Sequence, residues 1–127
     1  MKKTNKEWRD ELSDAAYRVL RESATEPPFS GEYVDTTDAG AYLCGACGTE
    51  LFASDTKYHS GCGWPSFFDS TKTVGTRPDN SMGMARTEIY CKKCDSHLGH
   101  VFNDGPSPTG LRYCVNSLSL KLEKKGE

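Results

Sequence analysis

The chain has 127 residues, of which 35% are hydrophobic and 27% are charged, and its formal net charge is -2. This length fits one domain over residues 1–127, and a charge so close to neutral gives no long-range attraction to nucleic acid or to an anionic membrane. No apolar run has the length of a secretion signal or a membrane span, so we expect a monomeric cytoplasmic protein whose thiols stay reduced.

The N-terminal segment predicts a helix over residues 5–22, because apolar residues recur there at near-helical spacing. Thr4 and Glu7 have the spacing of a capping box, which favours a helix start at this point. Ser13 and Asp14 are candidates for a second cap, at which the helix can divide into two pieces. We therefore predict a helical arm over residues 1–24.

Residues 25–40 predict an extended tether, because Pro27 and Pro28 each remove a backbone donor and restrict the residue before them. From residue 41 onward, short apolar runs alternate with glycine, proline, asparagine and aspartate, as is typical of antiparallel strands. We predict a mainly β domain with its core over residues 41–122. The predicted strands cover residues 41–44, 50–53, 66–69, 72–76, 85–91, 99–102, 111–116 and 117–122.

The strand predicted over residues 111–116 carries a candidate nucleophile. Its apolar and polar residues alternate, so Cys114 shares the polar face with Arg112 and Asn116. A free thiol has a pKa of about 8.5, and a neighbouring cation raises its thiolate fraction. A buried structural cysteine is an equally weighted alternative on these residues alone. The alternation changes phase between Asn116 and Ser117, which predicts a β-bulge.

Four of the six cysteines form two pairs with two residues inside each pair: Cys44 with Cys47, and Cys91 with Cys94. This spacing lets both sulfurs of one turn reach a single cation, and four thiolates complete a tetrahedral zinc shell with no open position. We predict one structural zinc ion per chain. Iron in the same cage and redox-active Cys-x-x-Cys pairs are the alternatives.

Cys62 lies outside these pairs, in a loop that also contains Trp64. A glycine on each side leaves its backbone mobile, which suits a thiol that has to travel to another sulfur. A loop that plugs the core with its tryptophan is the alternative interpretation.

Two histidines, His97 and His100, are candidate proton donors, because imidazole titrates near neutral pH. Gly99 lies between them and can bend the strand so that both rings point to one side. Asp104 is placed to orient one of the rings. His97 could instead be a zinc ligand, since it follows Cys94 at a plausible ligand spacing.

Three segments, residues 61–67, 97–106 and 112–117, resemble the B-type peptide methionine sulfoxide reductases, which act on the R epimer. The two cysteine pairs resemble those of the family's zinc-containing branch. The resemblance extends over essentially the whole chain, including residues 25–33. It implies a compact pair of antiparallel sheets with N-terminal helices.

The resemblance also implies residue roles. Cys114 would attack the sulfoxide sulfur, and Cys62 would resolve the resulting sulfenic acid to an intramolecular disulfide that thioredoxin or a similar dithiol reduces. Trp64 corresponds to the indole that holds the substrate's methyl group. The remaining predicted site residues are His97, His100 and Asn116 around the sulfoxide oxygen, and Arg112 and Phe102 as substrate contacts.

The chemistry agrees with these roles, because sulfoxide reduction needs a soft nucleophile for sulfur and a proton for oxygen. We therefore expect repair of oxidised methionine, free or in proteins, during oxidative stress. The alternative is a zinc-stapled β module that binds a ligand at Trp64 without catalysis, although such a module has no use for Cys62 and Cys114. A zinc-ribbon nucleic-acid binder would need a basic surface that this chain lacks.

Overall fold

The computed structural model describes residues 5–22, 24–27, 31, 33–34, 36, 39–58, 60–80, 85–106 and 109–124. Within these ranges, two short α-helices precede nine β-strands. Neither of the two described helices combines the length and the apolar character that a membrane span requires.

The two helices are α1 (Asn5–Glu11) and α2 (Asp14–Glu22). Leu12 and Ser13 separate them, and Oγ of Ser13 accepts a hydrogen bond from the backbone N–H of Ala16 at 3.1 Å. Ser13 is therefore the N-cap of α2, and the predicted division of the helix is confirmed. Thr4, the other half of the predicted capping box, lies outside the described residues.

The strands form two sheets, and all of the described pairings are antiparallel. They are β1 (Gly40–Cys44), β2 (Glu50–Ala53), β3 (Lys57–Tyr58), β4 (Ser66–Phe67), β5 (Val74–Asp79), β6 (Arg86–Cys91), β7 (His97–Phe102), β8 (Arg112–Val115) and β9 (Leu120–Lys124). The three-stranded sheet has the order β2-β1-β9, and the six-stranded sheet has the order β3-β4-β8-β7-β6-β5. The predicted fold, mainly β with two antiparallel sheets behind a helical arm, is confirmed.

Buried aromatic side chains join the two sheets. The ring of Phe67 in β4 stacks on Phe52 of β2 with centroids 4.3 Å apart, and it meets the edge of Tyr42 of β1 at 5.1 Å. Trp8 of α1 is also fully buried in this core. Burying a side chain of this kind stabilises a fold by about 1.5–3 kcal/mol, so the aromatic cluster fixes β4 and its neighbour β8 against the smaller sheet.

The segment after β8 differs from the prediction. Ser117–Ser119 is one turn of 3-10 helix, closed by a hydrogen bond from the Ser119 N–H to the Asn116 carbonyl at 2.9 Å. The chain then enters β9, which pairs with β1 in the other sheet. A bulge would have kept the chain in the sheet of β8, so the predictions of a bulge and of a strand starting at Ser117 are wrong. The change of phase does mark the point at which β8 has ended and the 3-10 turn begins.

Candidate active site and metal centre

The four cysteines of the two pairs meet between the sheets. Cys44 is the last residue of β1, and Cys47 lies in the turn that follows it. Cys91 is the last residue of β6, and Cys94 lies in the turn that follows it. The four Sγ atoms lie within 4.8 Å of one another. The Sγ atoms of Cys44 and Cys94 are 3.6 Å apart, and those of Cys47 and Cys91 are 3.7 Å apart. Sulfurs bound tetrahedrally to zinc at about 2.3 Å lie ~3.8 Å apart, so this cluster has the dimensions of a metal site.

Both cysteine pairs are built on the same turn. The N–H of Gly48 donates to the carbonyl of Cys44 at 2.9 Å, and the N–H of Asp95 donates to the carbonyl of Cys91 at 2.7 Å. Gly48 and Asp95 have left-handed φ angles of 79° and 65°, a conformation that glycine and aspartate tolerate better than most residues. Each turn extends a strand of a different sheet, so a bound ion would tie the two sheets together.

Cys114 lies in β8 between two neighbouring strands. In the sheet register it is opposite Ser66 of β4 on one side and opposite His100 of β7 on the other. β7 approaches β8 closely because Gly99 has no side chain: a Cβ at this position would collide with the carbonyl oxygen of Cys114. The strand pairing therefore places a thiol, a hydroxyl and an imidazole side by side.

Cys62 lies in the loop between β3 and β4, just before Ser66. The glycines on either side of it have φ angles of 80° and 95°, which other residues rarely adopt. The Oγ atoms of Ser60 and Ser66 are 2.6 Å apart, so the loop closes onto β4. As a result, the Sγ atoms of Cys62 and Cys114 lie 3.3 Å apart. The structure thus brings together the two cysteines that lie outside the four-cysteine cluster.

The two thiols affect each other's ionisation. A hydrogen bond from Cys114 is the largest cause that lowers the pKa of Cys62, to about 4, and the hydroxyls of Ser60 and Ser66 add to it against the effect of burial. The same hydrogen bond and burial raise the pKa of Cys114, although Arg112 acts in the opposite direction. The reduced pair therefore loses one proton more readily than an isolated thiol does, and the two sulfurs share the proton that remains. The sequence predicts a thiolate at Cys114 from the neighbouring arginine, and Arg112 does act to lower the pKa of Cys114.

A cavity of about 300 Å³ opens beside the thiol pair. This volume is at the lower end of the range for small-molecule sites and suits one amino-acid side chain. Of the eight predicted catalytic and substrate-binding residues, all except His97 line it. Its lining residues are Thr25, Cys62, Trp64, Arg86, Gly99, His100, Phe102, Arg112, Cys114 and Asn116.

Glu26, in the tether, fixes one wall of this cavity. Its carbonyl accepts a hydrogen bond from Nε1 of Trp64 at 2.9 Å, and its N–H donates to Oδ1 of Asn116 at 3.0 Å. Its own carboxylate accepts from the N–H of Leu118 at 2.9 Å. Asn116 also donates from Nδ2 to the carbonyl of Leu98 at 3.0 Å. Both ends of the Asn116 carboxamide are therefore bound to the backbone, and the indole of Trp64 is held in one orientation.

His97 and His100 point to the same region because β7 contains one extra residue at this point. Gly99 is opposite Ile89 of β6, whereas His97, two residues earlier, is opposite Tyr90, so the register shifts between them. The two imidazole rings are 5.7 Å apart. His100 borders the cavity, and His97 lies behind it with only 4% of its surface exposed.

Each histidine is paired with a carboxylate from another strand. Nδ1 of His97 lies 2.8 Å from Glu88 of β6, and Nε2 of His100 lies 2.7 Å from Asp79 of β5. Burial lowers the pKa of His97, although the Glu88 carboxylate opposes this effect. Burial therefore favours the neutral form of His97, and a neutral ring would donate from Nδ1 to Glu88.

Asp104, predicted to orient a histidine, instead binds Arg112. Its carboxylate accepts two hydrogen bonds from the guanidinium at 2.8 and 3.2 Å. The guanidinium also lies over the ring of Phe102, 4.4 Å from its centroid. The prediction for Asp104 is wrong because Phe102 is opposite Arg112 in the sheet, so the chain that continues from Phe102 brings Asp104 beside the arginine.

Sequence reasoning missed Asp79, Glu88, Arg86 and Glu26. A signal was available for Glu88. The strand predicted over residues 85–91 and the strand that carries His97 and His100 lie on either side of the second cysteine turn, so the two strands form a hairpin. That hairpin places Glu88 opposite His100. The other three come from a strand end or from the tether, and no sequence pattern relates them to the site.

A close pair of free thiols, an imidazole and an indole around one small cavity define a thiol-dependent oxidoreductase. Residues 12–124 match the family model of the SelR domain. Similar bacterial proteins named "Peptide methionine sulfoxide reductase MsrB" come from Acinetobacter baylyi (57% identical over 125 residues, 97% of this chain and 90% of the relative), Teredinibacter turnerae (57% over 120 residues, 93% and 89%) and Acinetobacter baumannii (56% over 123 residues, 95% and 88%). The chain belongs to the peptide methionine sulfoxide reductase B family, and the prediction of an oxidoreductase is confirmed.

Proposed function

We propose that this protein reduces the R epimer of methionine sulfoxide to methionine, with Cys62 and Cys114 as the source of electrons. The observation that carries this proposal is the distance of 3.3 Å between the two Sγ atoms, at the edge of a cavity that Trp64 also lines. The names of the relatives support the substrate class. The physiological role would be repair of oxidised methionine in the cytoplasm.

The cavity offers an apolar side and a polar side to the substrate. The indole of Trp64 would contact the terminal methyl group, and it is held for this by its hydrogen bond to Glu26. The sulfoxide oxygen carries partial negative charge, so it would face the imidazole of His100 and the guanidinium of Arg112. Because both sides are fixed relative to Cys114, only one arrangement of methyl and oxygen around the chiral sulfur would present that sulfur to the nucleophile.

The chemical step begins with the thiol pair. Cys62 takes the proton of Cys114 along their hydrogen bond, and the Cys114 thiolate attacks the sulfoxide sulfur. His100 supplies a proton to the oxygen. The protonated oxygen is then transferred from the substrate sulfur to the sulfur of Cys114. The sulfur–oxygen bond of the substrate and the sulfur–sulfur bond made by the attack both break, methionine leaves with the electron pair of the latter, and Cys114 becomes a sulfenic acid.

The second step uses the proton that Cys62 has taken up. The Cys62 thiol attacks the sulfur of the sulfenic acid, a disulfide forms between Cys62 and Cys114, and one water molecule leaves. Two electrons from a dithiol reductant of the thioredoxin class then restore both thiols. The starting distance of 3.3 Å between the Sγ atoms supports a disulfide that forms with little movement of the loop.

We further propose that Cys44, Cys47, Cys91 and Cys94 hold a structural zinc ion. The approach of all four sulfurs to within 4.8 Å of one another supports this. Zinc bound by four thiolates has no open position for a substrate, so the ion would stabilise the fold and take no part in the reaction.

The direct test follows both epimers of methionine sulfoxide by chromatography, with dithiothreitol as the reductant. We expect the R epimer to be consumed and the S epimer to remain, and Cys114→Ser to convert neither. Equal consumption of both epimers, or no consumption by folded protein that retains its metal, would contradict the proposal.

A further inference from the structure

Arg21, near the end of α2, lies against the second cysteine turn. Its Nη1 donates to the carbonyl of Cys94 at 2.8 Å and to Oγ of Ser96 at 3.2 Å. Its guanidinium also lies over the ring of Trp8, 5.4 Å from the centroid, which is within range of a cation–π interaction. A partly buried cation of the helical arm is thus bound to the turn that carries half of the cysteine cluster.

The charge of Arg21 lacks a carboxylate partner within the described part of the chain. Its Nε is buried and has no hydrogen-bond partner among the same residues. By contrast, Arg77, Arg86 and Arg112 each contact a carboxylate. Taking a guanidinium partly out of water costs free energy unless an opposite charge is close. The counter-charge of Arg21 is therefore to be sought among groups other than carboxylates.

The cysteine cluster can supply this counter-charge. Four thiolates outnumber the two positive charges of Zn²⁺, so the loaded cluster carries net negative charge. Ser96 is fully buried, and its Oγ lies 3.1 Å from Sγ of Cys94. A metal-bound thiolate has no proton, so the Ser96 hydroxyl donates to it and accepts from Arg21. One hydroxyl group thus connects the guanidinium to a sulfur of the cluster.

We propose that Arg21 is the counter-charge of the metal centre, which it reaches through Ser96, and that it fixes the helical arm to this centre. The inference rests on the zinc site proposed above, and it adds a residue outside the four ligands on which metal retention depends. Hydrogen-bonding partners of metal ligands typically change metal affinity by about 10–100-fold when they are removed.

Other cations near the turn are placed differently. Lys92 and Lys93 lie between its two cysteines and are exposed, so water and salt screen their charges. Arg77 is hydrogen-bonded to Asp95 of the turn at 3.0 Å, and its charge is compensated there. Arg21 differs from all three, because it is partly buried and no described carboxylate compensates it.

The position of Arg21 also relates the metal centre to the substrate cavity. The N–H of Ala24 donates to the carbonyl of Arg18 at 3.0 Å, which ties the start of the tether to α2. Thr25, the next residue, lines the cavity. A helix that is held by the metal centre therefore also holds one wall of the cavity.

The test follows the release of zinc from the loaded protein to an excess of a chromogenic chelator. Arg21→Gln keeps a donor for the Cys94 carbonyl but removes the charge, so it should release zinc about tenfold faster. Arg21→Lys keeps the charge, and its rate should lie between those of the glutamine variant and the unsubstituted protein. Arg18→Gln removes the same charge from an exposed position on the same helix, and its rate should stay within about twofold.

A second measurement reports the charge at the sulfurs directly. With cobalt in place of zinc, the thiolate-to-cobalt charge-transfer band of Arg21→Gln should move to longer wavelength, because a sulfur without a nearby cation gives up an electron more easily. The band of Arg18→Gln should not move. A residue that only packed α2 against the turn would leave the band unchanged.

Three results would overturn the role of Arg21: equal release from Arg21→Gln and Arg18→Gln, release from Arg21→Lys as fast as from Arg21→Gln, or an unmoved cobalt band in Arg21→Gln. Elemental analysis of the unsubstituted protein separates these from a failure of the zinc proposal. A chain without zinc would overturn the metal site itself, whereas a chain that holds zinc equally well in all variants would overturn only the contribution of Arg21.

Discussion

The carboxylate of Asp79 lies 2.7 Å from Nε2 of His100, although 21 residues separate them in the chain. Asp79 ends β5 and His100 lies in β7, with β6 between the two strands. The carboxylate therefore reaches past β6 to orient a ring that borders the substrate cavity. It also lies 3.5 Å from Arg86, a second lining residue of that cavity.

We predict that Asp79→Asn lowers kcat while KM changes little. The amide keeps the shape of the side chain but weakens a charge-assisted hydrogen bond, and the looser ring donates its proton less well. A hydrogen bond to a charged group contributes about 1.5–3 kcal/mol. If the substitution removes half or more of this free energy, kcat should fall about tenfold. Asp55→Asn, on the exposed 3-10 turn before β3, is the matched control. An equal loss in both variants, or a change confined to KM, would contradict the positioning role.

Trp64→Ala should raise KM for the sulfoxide by about tenfold or more, since apolar contact with one side chain is worth about 1.5–3 kcal/mol. Trp64→Phe keeps an aromatic face but loses the hydrogen bond to the Glu26 carbonyl, so its KM should lie between those of the other two proteins. Steady-state kinetics with dithiothreitol measure this series. If KM were the same in all three, the indole would not be a substrate wall.

The ionisation of Cys62 should depend on Cys114. The hydrogen bond from Cys114 is the largest cause that lowers the pKa of Cys62 from an ordinary 9.0 to about 4, so the reduced protein should carry a thiolate well below neutral pH. In Cys114→Ala this contribution is lost, and the pKa of Cys62 should rise towards its ordinary value. The rate of alkylation by iodoacetamide against pH, resolved by peptide mass, reports the shift.

The sign of the accompanying stability change follows from proton binding. Between pH 4 and 9 the unfolded chain holds a proton on Cys62 and the folded chain does not, so stability rises with pH in this window. The stabilising contribution of the Cys62 thiolate is complete above the pKa that Cys62 has in the unfolded chain. It is lost as pH falls through the pKa that Cys62 has in the folded chain. If the alkylation of Cys62 had its midpoint near pH 9 both in the unsubstituted protein and in Cys114→Ala, the two thiols would not share a proton.

Removal of the metal should destabilise the fold. Structural zinc in small peptides contributes roughly 10 kcal/mol or more to folding, and here it would close a loop of 43 residues between Cys47 and Cys91. We expect one zinc per chain by elemental analysis and a much lower Tm after chelation. Cys47→Ser should lose the metal, whereas Cys62→Ser should retain it. An unchanged Tm in metal-free protein would contradict a structural role.

The sequence predicts those parts of the site that depend on local spacing. The two cysteine turns are recognisable because both thiols of each pair lie within one turn, and the strand of Cys114 is recognisable from its alternation. Subtracting the four paired cysteines then leaves Cys62 as the second thiol. These inferences need no knowledge of how distant strands pair.

The rest depends on tertiary pairing, which single-sequence patterns do not contain. Asp104 binds Arg112, and Asp79 binds His100. Only the sheet register decides which of these two acidic residues meets which partner. The phase change at Ser117 is likewise compatible with a bulge or with a turn into another sheet. The observed 3-10 turn follows from the pairing of β9 with β1.

The proposed reaction depends on a redox-active disulfide between Cys62 and Cys114. It is tested by adding one equivalent of methionine R-sulfoxide to reduced, metal-loaded protein without reductant, blocking the remaining thiols and mapping the peptides by mass. We predict one methionine released per chain, a single disulfide between Cys62 and Cys114, and, in Cys62→Ser, the same yield of methionine with a sulfenic acid on Cys114. Methionine release with both of these thiols still reduced, or a disulfide that involves one of the four paired cysteines, would contradict the proposed reaction.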